Sequence, residues 1–200
     1  MSSLLPIFLD LQHKPVLVIG GGSTALEKLE KLVKTGANIE VIAKHFSTDT
    51  ADFLTRHGIA SRQDEITEAD LKERFLVISA VNDTQKNQEI AALARKNGVL
   101  INAVDEPSAC DFYFSAQIER GPLQIAISTR GLFPGLARSI RLWLEKQFPP
   151  EIIQELNDLV EIRDLVKEKI PDPRERMQAL RQQLQIWMYE STSRKTGDKR

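Results

Sequence analysis

The sequence predicts an α/β fold, in which a doubly wound parallel sheet is followed by a β-hairpin region and a small C-terminal helical domain. Short apolar, β-branched segments alternate with amphipathic helical patterns through the first half of the 200 residues. Strands that alternate with helices are joined by right-handed crossovers, which place the strands parallel in one sheet with helices on both faces. After about residue 111 the alternation stops, so we expect a different architecture there.

Five strands and three helices are expected in the first half. The strands are predicted at residues 16–19, 39–43, 60–63, 75–80 and 100–104. The first of them is continuously apolar, as is typical of a strand buried on both faces. Helices follow the first, second and fourth strands, and they are expected to end at Gly36, Gly58 and Gly98. Thr67 and Asp70 have the spacing of a capping box and predict one further helical turn.

The second half predicts a hairpin and three helices. Apolar and polar residues alternate over 112–118 and over 123–127, and an Arg-Gly-Pro turn signal separates the two segments. The helices, bounded by prolines, are predicted at 134–148, 151–169 and 173–189. We expect the chain to divide into residues 1–111, 112–148, 149–190 and a flexible tail at 191–200. Because the hairpin and helices are too thin for a core of their own, we expect this half to pack against a partner subunit.

Composition and charge narrow the classes of function. The 27 basic and 28 acidic side chains nearly balance, so no overall field favours nucleic acid or an anionic membrane. The apolar runs are short of the roughly 20 residues that span a bilayer, and residues 4–9 do not have the pattern of a signal peptide. Cys110 is the single cysteine, expected to be buried filler, and no Cys/His cluster has zinc spacing. These features favour a cytoplasmic protein without a resident metal.

Residues 20–25 read Gly-Gly-Gly-Ser-Thr-Ala and fit the dinucleotide pattern G-x-G-x-x-A. In that pattern Gly20 permits the tight turn after the strand, Gly22 lets the backbone approach a pyrophosphate, and Ala25 lets the helix pack on the sheet. The anion then lies against free N–H groups at the amino end of the helix. The alternative is a structural turn that binds nothing, but the strand–turn–helix context favours a Rossmann-like nucleotide site.

The residue that usually distinguishes the two nicotinamide cofactors is missing. An acidic residue at the end of the second strand commonly binds the adenosine ribose, whereas residues 42–45 read Ile-Ala-Lys-His. Lys44 is compatible with the 2′-phosphate of NADP, and both Lys44 and His45 are equally compatible with an ordinary solvated loop. This loop alone therefore leaves the choice between NAD and NADP open.

Asp105 is the candidate catalytic residue, because it follows the fifth strand at the edge where open α/β sheets bind ligands. A carboxylate there can accept a proton while a hydride leaves for the nicotinamide. Asp83 and Asp111 also adjoin strands and compete for the role, and a helix or turn cap is the alternative explanation for Asp105. The residues alone do not choose among the three aspartates.

A group of basic and hydroxyl side chains after the fifth strand predicts the substrate site. Its four arginines are Arg120, Arg130, Arg138 and Arg141. Guanidinium groups bind carboxylates through paired hydrogen bonds, so this group favours a substrate with many carboxylates. Ser128 and Thr129, directly after the hairpin, are assigned to the same site. The alternative is a set of unrelated surface arginines.

Several motifs in order resemble the precorrin-2 dehydrogenase family, which includes the dehydrogenase and ferrochelatase module of siroheme synthases. The motifs lie at residues 5–9 (Leu-Pro-Ile-Phe-Leu), 20–28, 102–107, 111–112, 120–123, 126–129 and 136–138. The resemblance implies oxidation of precorrin-2 to sirohydrochlorin with NAD as acceptor, in siroheme or related tetrapyrrole synthesis. Some members also insert ferrous iron, which makes Fe²⁺ or Co²⁺ a candidate substrate ion. A homodimer is implied too, with the hairpin region forming much of the interface.

The resemblance also assigns residues. The family's nucleotide contacts fall on Ser23 and Thr24 after the glycines, and on Lys44 and His45 after the second strand. With Gly20, Gly21 and Gly22 from the dinucleotide pattern, these residues form the predicted cofactor site. The aspartate proposed to serve dehydrogenation, and chelation where it occurs, falls on Asp105. After the hairpin the family pattern is Ser/Thr-Gly-Gly-x-Ser-Pro, and here Arg130 replaces a glycine and Phe133 a serine. These departures bear on the tetrapyrrole site and most of all on iron insertion, so dehydrogenation is the primary expectation.

Three alternative functions stay open. The chain is also compatible with a chelatase that lacks redox activity, with a nucleotide-sensing regulatory domain that binds cofactor without turnover, and with a dehydrogenase for another substrate. The arginines argue against a sensor, because a sensor needs no site for a polycarboxylate.

Overall fold

The chain forms two compact units, one ending at Phe114 and the other beginning at Ser115. The computed structural model describes residues 4–197, with side chains up to residue 189. The division lies close to the predicted change of architecture after residue 111. The expected boundary between residues 148 and 149 does not separate units, because a helix that follows it contacts the hairpin that precedes it.

A five-stranded parallel sheet forms the centre of the first unit. Its strands are β1 (Pro15–Ile19), β2 (Asn38–Ala43), β3 (Ala60–Gln63), β4 (Leu76–Ser79) and β5 (Leu100–Ala103). They lie in the order β3-β2-β1-β4-β5, and every neighbouring pair is parallel. The direction of winding reverses between β1 and β4, so the carboxyl ends of these strands form the crevice where open α/β sheets bind ligands. The predicted sheet is confirmed.

Three helices connect these strands. They are α1 (Ser23–Leu32), α2 (Thr48–His57) and α3 (Thr84–Lys96). Short 3₁₀ helices lie after α1 at Val33–Thr35, after β3 at Glu68–Leu71 and after β5 at Pro107–Ala109. The Ser47 side chain caps α2 and the Asp83 side chain caps α3 by accepting a backbone N–H hydrogen bond. As predicted, chain reversals occur at Gly36, Gly58 and Gly98, all with positive φ.

Apolar side chains cover both faces of the sheet. Val16 and Val18 belong to a cluster with α1 and α2, whereas Leu17 and Ile19 belong to a cluster with α3. Successive side chains of a strand point to opposite faces, which explains why β1 contributes alternately to the two clusters. The sheet is therefore wound by helices on both sides, as the alternation of elements predicts.

The turn at Glu68–Leu71 begins with the predicted capping box. The Thr67 backbone N–H donates to Asp70 Oδ2 at 2.8 Å, and Arg62 donates to Asp70 Oδ1 at 2.6 Å. Partial burial favours a higher pKa for Asp70, but the hydrogen bonds from Arg62 and Thr67 outweigh it and lower the pKa. The spacing predicts the box, whereas the contact from Arg62 on β3 has no local sequence signal.

The second unit contains an antiparallel hairpin and three helices. These elements are β6 (Ala116–Arg120), β7 (Leu123–Ile127), α4 (Pro134–Gln147), α5 (Ile152–Lys169) and α6 (Pro173–Gly197). At the turn, Gly121 has φ 55°, and a Cβ there would lie 3.2 Å from the side chains of Asn157 and Ile153. Helices α4 and α5 contact β6, and α6 contacts α5.

The first strand of the hairpin begins later than predicted. Its expected start was Phe112, but β6 begins at Ala116. Phe112 and Phe114 pack instead against a core cluster of the first unit, with ring centroids 5.9 Å apart, and Lys28 lies 5.2 Å from the centre of the Phe114 ring. A half-buried extended segment shows the same apolar alternation as a strand, so the pattern does not separate the two.

Helix α6 runs past its predicted end at residue 189 to Gly197. Residues 191–197 of the expected flexible tail are therefore helical, and residues 198–200 lie outside the described part of the chain. None of the helices within residues 4–197 combines the length and the apolar character needed to cross a membrane.

Candidate active site

The glycine loop between β1 and α1 is pressed against two neighbouring loops. Gly20 has φ 129°, and a Cβ there would lie 2.6 Å from the carbonyl oxygen of Ala80. A Cβ on Gly21 would lie 2.2 Å from the carbonyl oxygen of His45, and Gly21 accepts a hydrogen bond from the Ser47 N–H at 2.8 Å. Both positions thus exclude a side chain because protein backbone already fills the space.

Gly22 differs from its two neighbours, because a Cβ at this position would meet no atom within 4 Å. It is exposed and directly precedes α1, whose first N–H groups have no partner within the helix. No side chain caps this helix and no acidic residue lies in its first turn. The space beside Gly22, at the positive end of the helix dipole, is thus open and fits the pyrophosphate of a dinucleotide.

The loop after β2 lies beside the glycine loop and carries the two other predicted nucleotide contacts. Lys44 and His45 are exposed, and Lys44 Nζ forms an ion pair with Glu65 Oε1 at 2.9 Å. The hydrogen bond and charge of Glu65 raise the pKa of Lys44, and Lys44 lowers the pKa of Glu65 in the same way. Glu65 was not among the predicted residues, because it follows β3 and no local pattern connects it to Lys44.

Two of the three competing aspartates have structural roles. Asp83 caps α3, with its Oδ1 accepting the Lys86 N–H at 3.0 Å. Asp111 pairs with Arg95 at 3.0 Å and accepts the Ile101 N–H at 3.2 Å. Both carboxylates therefore have structural partners within the protein, and neither needs a ligand to account for its position.

Asp105 lies at the carboxyl end of β5 and is exposed. Its carboxylate forms no ion pair or hydrogen bond with the described residues, and its φ of 63° lies in the left-handed region. Such strained residues cluster at functional sites, and here no cap or turn contact explains the side chain. Among the three aspartates, the geometry therefore favours Asp105 as the reactive one.

Buried polar side chains fix the loop that carries Asp105. Asn102 Nδ2 donates to the carbonyl oxygen of Phe112 at 2.8 Å, which joins β5 to the end of the loop. The Cys110 thiol donates to the carbonyl oxygen of Ala103 at 3.1 Å, and burial raises its pKa. Cys110 is thus a half-buried structural residue, as expected, and Asn102 is a positioning residue that the sequence patterns did not reveal.

A second buried pair fixes the loop on the other side of the glycines. Ser79 Oγ donates to Asn87 Oδ1 at 2.6 Å, and Asn87 Nδ2 donates to the carbonyl oxygen of Val81 at 2.9 Å. Both side chains are almost fully buried. They hold the segment around Ala80 against which Gly20 packs, so they shape the glycine loop without touching it.

In the second unit, two of the four predicted substrate arginines have protein partners and the other two do not. Arg120 Nε donates to the carbonyl oxygen of Phe148 at 2.7 Å, and Arg141 forms an ion pair with Glu145. Arg130 and Arg138 are exposed, and their side chains have no hydrogen bond or ion pair with the described residues. The latter two are therefore the arginines best able to receive a carboxylate within this unit.

The segment after the hairpin is a turn that is stabilised by hydrogen bonds to its own hydroxyl side chains. Ser128 Oγ accepts the Arg130 N–H at 3.0 Å, and Thr129 Oγ1 accepts the Phe133 N–H at 3.3 Å. Arg130 has φ 55°, a conformation that favours glycine. The arginine that departs from the family pattern thus takes a backbone conformation that a glycine would adopt without strain, and the Phe133 side chain is exposed.

Within residues 4–197, no group of three or more His, Cys, Asp or Glu side chains is arranged to hold a metal ion.

Comparison with known proteins agrees with this geometry. The chain is 38% identical over 173 residues to a siroheme synthase of Methylococcus capsulatus and 37% identical over 175 residues to one of Neisseria meningitidis. Each alignment covers 86% of this chain but 36% and 35% of the relative, so the chain spans about a third of the length of these siroheme synthases.

Among solved structures, SirC, a precorrin-2 dehydrogenase, is similar with a TM-score of 0.76 and 27% identity, covering 90% of this chain and 88% of SirC. These relatives confirm the resemblance that the sequence motifs indicate. Residues 7–116 match the sequence profile of a family described as "Putative NAD(P)-binding". This match covers more than half of the chain and confirms a nicotinamide dinucleotide as the class of cofactor. The chain therefore belongs to this NAD(P)-binding family.

Proposed function

We propose that this chain catalyses the NAD-dependent oxidation of precorrin-2 to sirohydrochlorin in siroheme or related tetrapyrrole biosynthesis. The likeness to SirC, a precorrin-2 dehydrogenase, extends over 90% of the chain, and the siroheme synthases are related over 86% of it. The chain's own residues support the same reaction, because they combine a pyrophosphate site at Gly22 with an exposed carboxylate at the same edge of the sheet.

The proposal rests on one observation, which is that the exposed Asp105 carboxylate has no side-chain or backbone partner among the described residues. Asp105 is the one of the three candidate aspartates whose carboxylate has no structural partner among the described residues. Its strained backbone places that carboxylate beyond the end of β5. A nucleotide-sensing domain would need the glycine loop but would not need this carboxylate.

The reaction removes two hydrogens from the macrocycle, one as a hydride and one as a proton. When bound, NAD supplies the nicotinamide ring that accepts the hydride. The exposed carboxylate of Asp105 accepts the proton. The loop that holds it is fixed by Asn102, so the carboxylate is in position before substrate binds. Arg130 and Arg138, whose side chains have no partner among the described residues, are the first candidates to bind carboxylates of precorrin-2. Arg120 and Arg141 are further candidates.

The direct test is Asp105→Asn, followed as NADH formation from precorrin-2 under anaerobic conditions. Loss of a general base typically lowers the rate by about 10²- to 10⁴-fold, and we expect kcat to fall in this range while NAD binding is retained. Glu73→Gln is a matched control, because Glu73 is also an exposed carboxylate with positive φ (61°) but precedes β4 at the opposite edge of the sheet. Unimpaired turnover by Asp105→Asn would remove Asp105 from this role.

Ferrous or cobaltous ion is proposed as a further substrate, inserted into sirohydrochlorin after the oxidation. Asp105 would then remove the pyrrole protons that the ion replaces. Adding Fe²⁺ to the completed oxidation and following the macrocycle absorbance measures this step separately. A change that requires both the protein and Asp105 would support insertion.

We also propose that the chain acts as a homodimer in the cytoplasm. A two-stranded hairpin is marginally stable alone and has two unpaired edges. Trp143 on α4 is 60% exposed and Phe133 is 62% exposed, which a second copy of the chain would cover. The single cysteine is compatible with a reducing compartment.

A further inference from the structure

The ion pair between Lys44 and Glu65 lies beside the place where the adenosine ribose of a dinucleotide is recognised. In Rossmann-like sheets this ribose is held at the end of the second strand by an acidic residue. Here β2 ends at the buried Ala43, and Lys44 and His45 follow it. The His45 carbonyl oxygen is packed against Gly21, so this loop directly adjoins the glycine loop.

Glu65 reaches this place from the neighbouring strand. The Asp64 N–H donates to the carbonyl oxygen of Ala43 at 3.0 Å, which brings the chain after β3 back to the end of β2. Asp64 itself pairs with Arg62 at 3.4 Å and accepts the Glu65 N–H at 2.8 Å, so its carboxylate is occupied. Glu65 and Lys44 are both about two-thirds exposed (68% and 66%), so a ligand can reach both groups.

We propose that Glu65 selects NAD over NADP, by offering its carboxylate to the adenosine 2′-hydroxyl and by neutralising Lys44. This assignment rests on the proposed function, since it concerns the cofactor of the same site. A carboxylate from β3 thus takes the place of the acidic residue that β2 lacks.

The charges explain the direction of the selection. A 2′-phosphate carries more than one negative charge near neutral pH, so it is repelled by Glu65. Lys44, the cation that would attract it, already pairs with Glu65, and Asp83 adds a weaker negative influence on Lys44. Lys86 acts on Glu65 with the opposite sign but more weakly than Lys44 does. The neutral 2′-hydroxyl of NAD, by contrast, can donate a hydrogen bond to the Glu65 carboxylate.

The test measures binding rather than turnover. Affinities for NAD and NADP are determined by calorimetry for the full chain and for Glu65→Gln, at one low ionic strength because salt screens exposed charges. We expect the ratio of the NADP to the NAD dissociation constant to fall by about five-fold or more in Glu65→Gln, as expected for loss of one exposed charge pair. Adding Lys44→Ala to Glu65→Gln should abolish the gain in NADP affinity.

Glu68→Gln provides the matched control. Glu68 forms a similar exposed ion pair, with Lys96 at 2.7 Å, but lies in the turn that contacts α3. Glu68→Gln removes the same charge three residues along the chain. The ratio of the NADP to the NAD dissociation constant should therefore be the same in this variant as in the unmodified chain. Melting temperatures of all variants show whether each one is folded.

The outcomes separate the two proposals. If the unmodified chain binds NAD and Glu65→Gln leaves the ratio unchanged, or changes it no more than Glu68→Gln, the assignment of Glu65 is overturned and the proposed function stands. If the unmodified chain binds neither dinucleotide, the proposed function fails and the assignment fails with it. A ratio that falls in Glu65→Gln, with the gain in NADP affinity lost in the double variant, supports the assignment. A gain in NADP affinity that persists without Lys44 overturns it.

Discussion

The two units of this chain differ in how they bury their apolar side chains. In the first unit, strand residues such as Leu17, Val18 and Ile78 are completely buried between helices. Among the described side chains of the second unit, the buried apolar ones are Ile118, Ala137 and Ile152. Burial of apolar surface is the main favourable term in folding, so the first unit stabilises itself to a degree that the second does not.

The difference teaches where each part of the proposed site obtains its rigidity. The nucleotide loop and Asp105 are held by a core, by buried hydrogen bonds and by backbone packing within one unit. The candidate arginines lie on a hairpin and a helix that leave large side chains such as Trp143 exposed. We therefore expect the nucleotide site to depend on internal packing, and the substrate arginines to depend on association.

The largest effect is expected at Gly21. In Gly21→Ala the new methyl group would collide with the His45 carbonyl oxygen at 2.2 Å, and we expect a loss of about 3 kcal/mol in the free energy of unfolding. Chemical denaturation measures this loss.

Gly22→Ala is the contrasting variant at the neighbouring glycine. Its methyl group meets no protein atom, so the free energy of unfolding should change by less than about 1 kcal/mol. NAD affinity should fall by at least about tenfold in Gly22→Ala, because the methyl group fills the space for the pyrophosphate. Equal stability of Gly21→Ala and the unmodified chain would contradict the packing described for this loop.

A smaller effect is expected on the second unit at Trp143. If a second copy covers this side chain, Trp143→Ala should weaken the dimer by about tenfold or more, because buried tryptophans are common centres of binding energy. Sedimentation over a range of concentrations measures the dissociation constant. Ile186→Ala is the control, since Ile186 on α6 has a similar exposure of 51%. A chain that is monomeric at every concentration would refute the proposed homodimer.

The smallest effect concerns Asp70 and pH. Its pKa is lowered in the folded chain, so its contribution to stability is complete above the ordinary aspartate pKa and is lost as the pH falls through the lowered pKa. Asp70→Asn should therefore lower the free energy of unfolding by about 1 kcal/mol at neutral pH and leave it unchanged at the acid end of the series. Denaturation curves over a pH series provide the measurement. Asp64→Asn removes a more exposed partner of the same Arg62 and should lower the free energy of unfolding by less than Asp70→Asn does at neutral pH. An equal loss in the two variants at neutral pH would show that Asp70 has no special role.

Local patterns predicted the sheet and the glycine turn after β1, because strand alternation, glycine positions and caps depend on neighbouring residues. The choice among the aspartates needed the fold, since Asp111 is explained by Arg95, which lies 16 residues away in sequence. Glu65 was missed for the same reason, because it meets Lys44 only when β2 and β3 pair. Asn102 reads as an ordinary strand residue until the chain returns to it at Phe112.

The left-handed backbone at Asp105 has a consequence for the descent of this sequence. Glycine adopts that conformation without strain and aspartate adopts it at a small cost, so backbone geometry alone would favour glycine at this position. In a lineage that no longer needed proton transfer, drift would favour glycine at this position while the strands stayed unchanged. Under the proposed role of Asp105, the identity of this single residue would indicate whether a relative still carries out the chemistry, long before its fold had diverged.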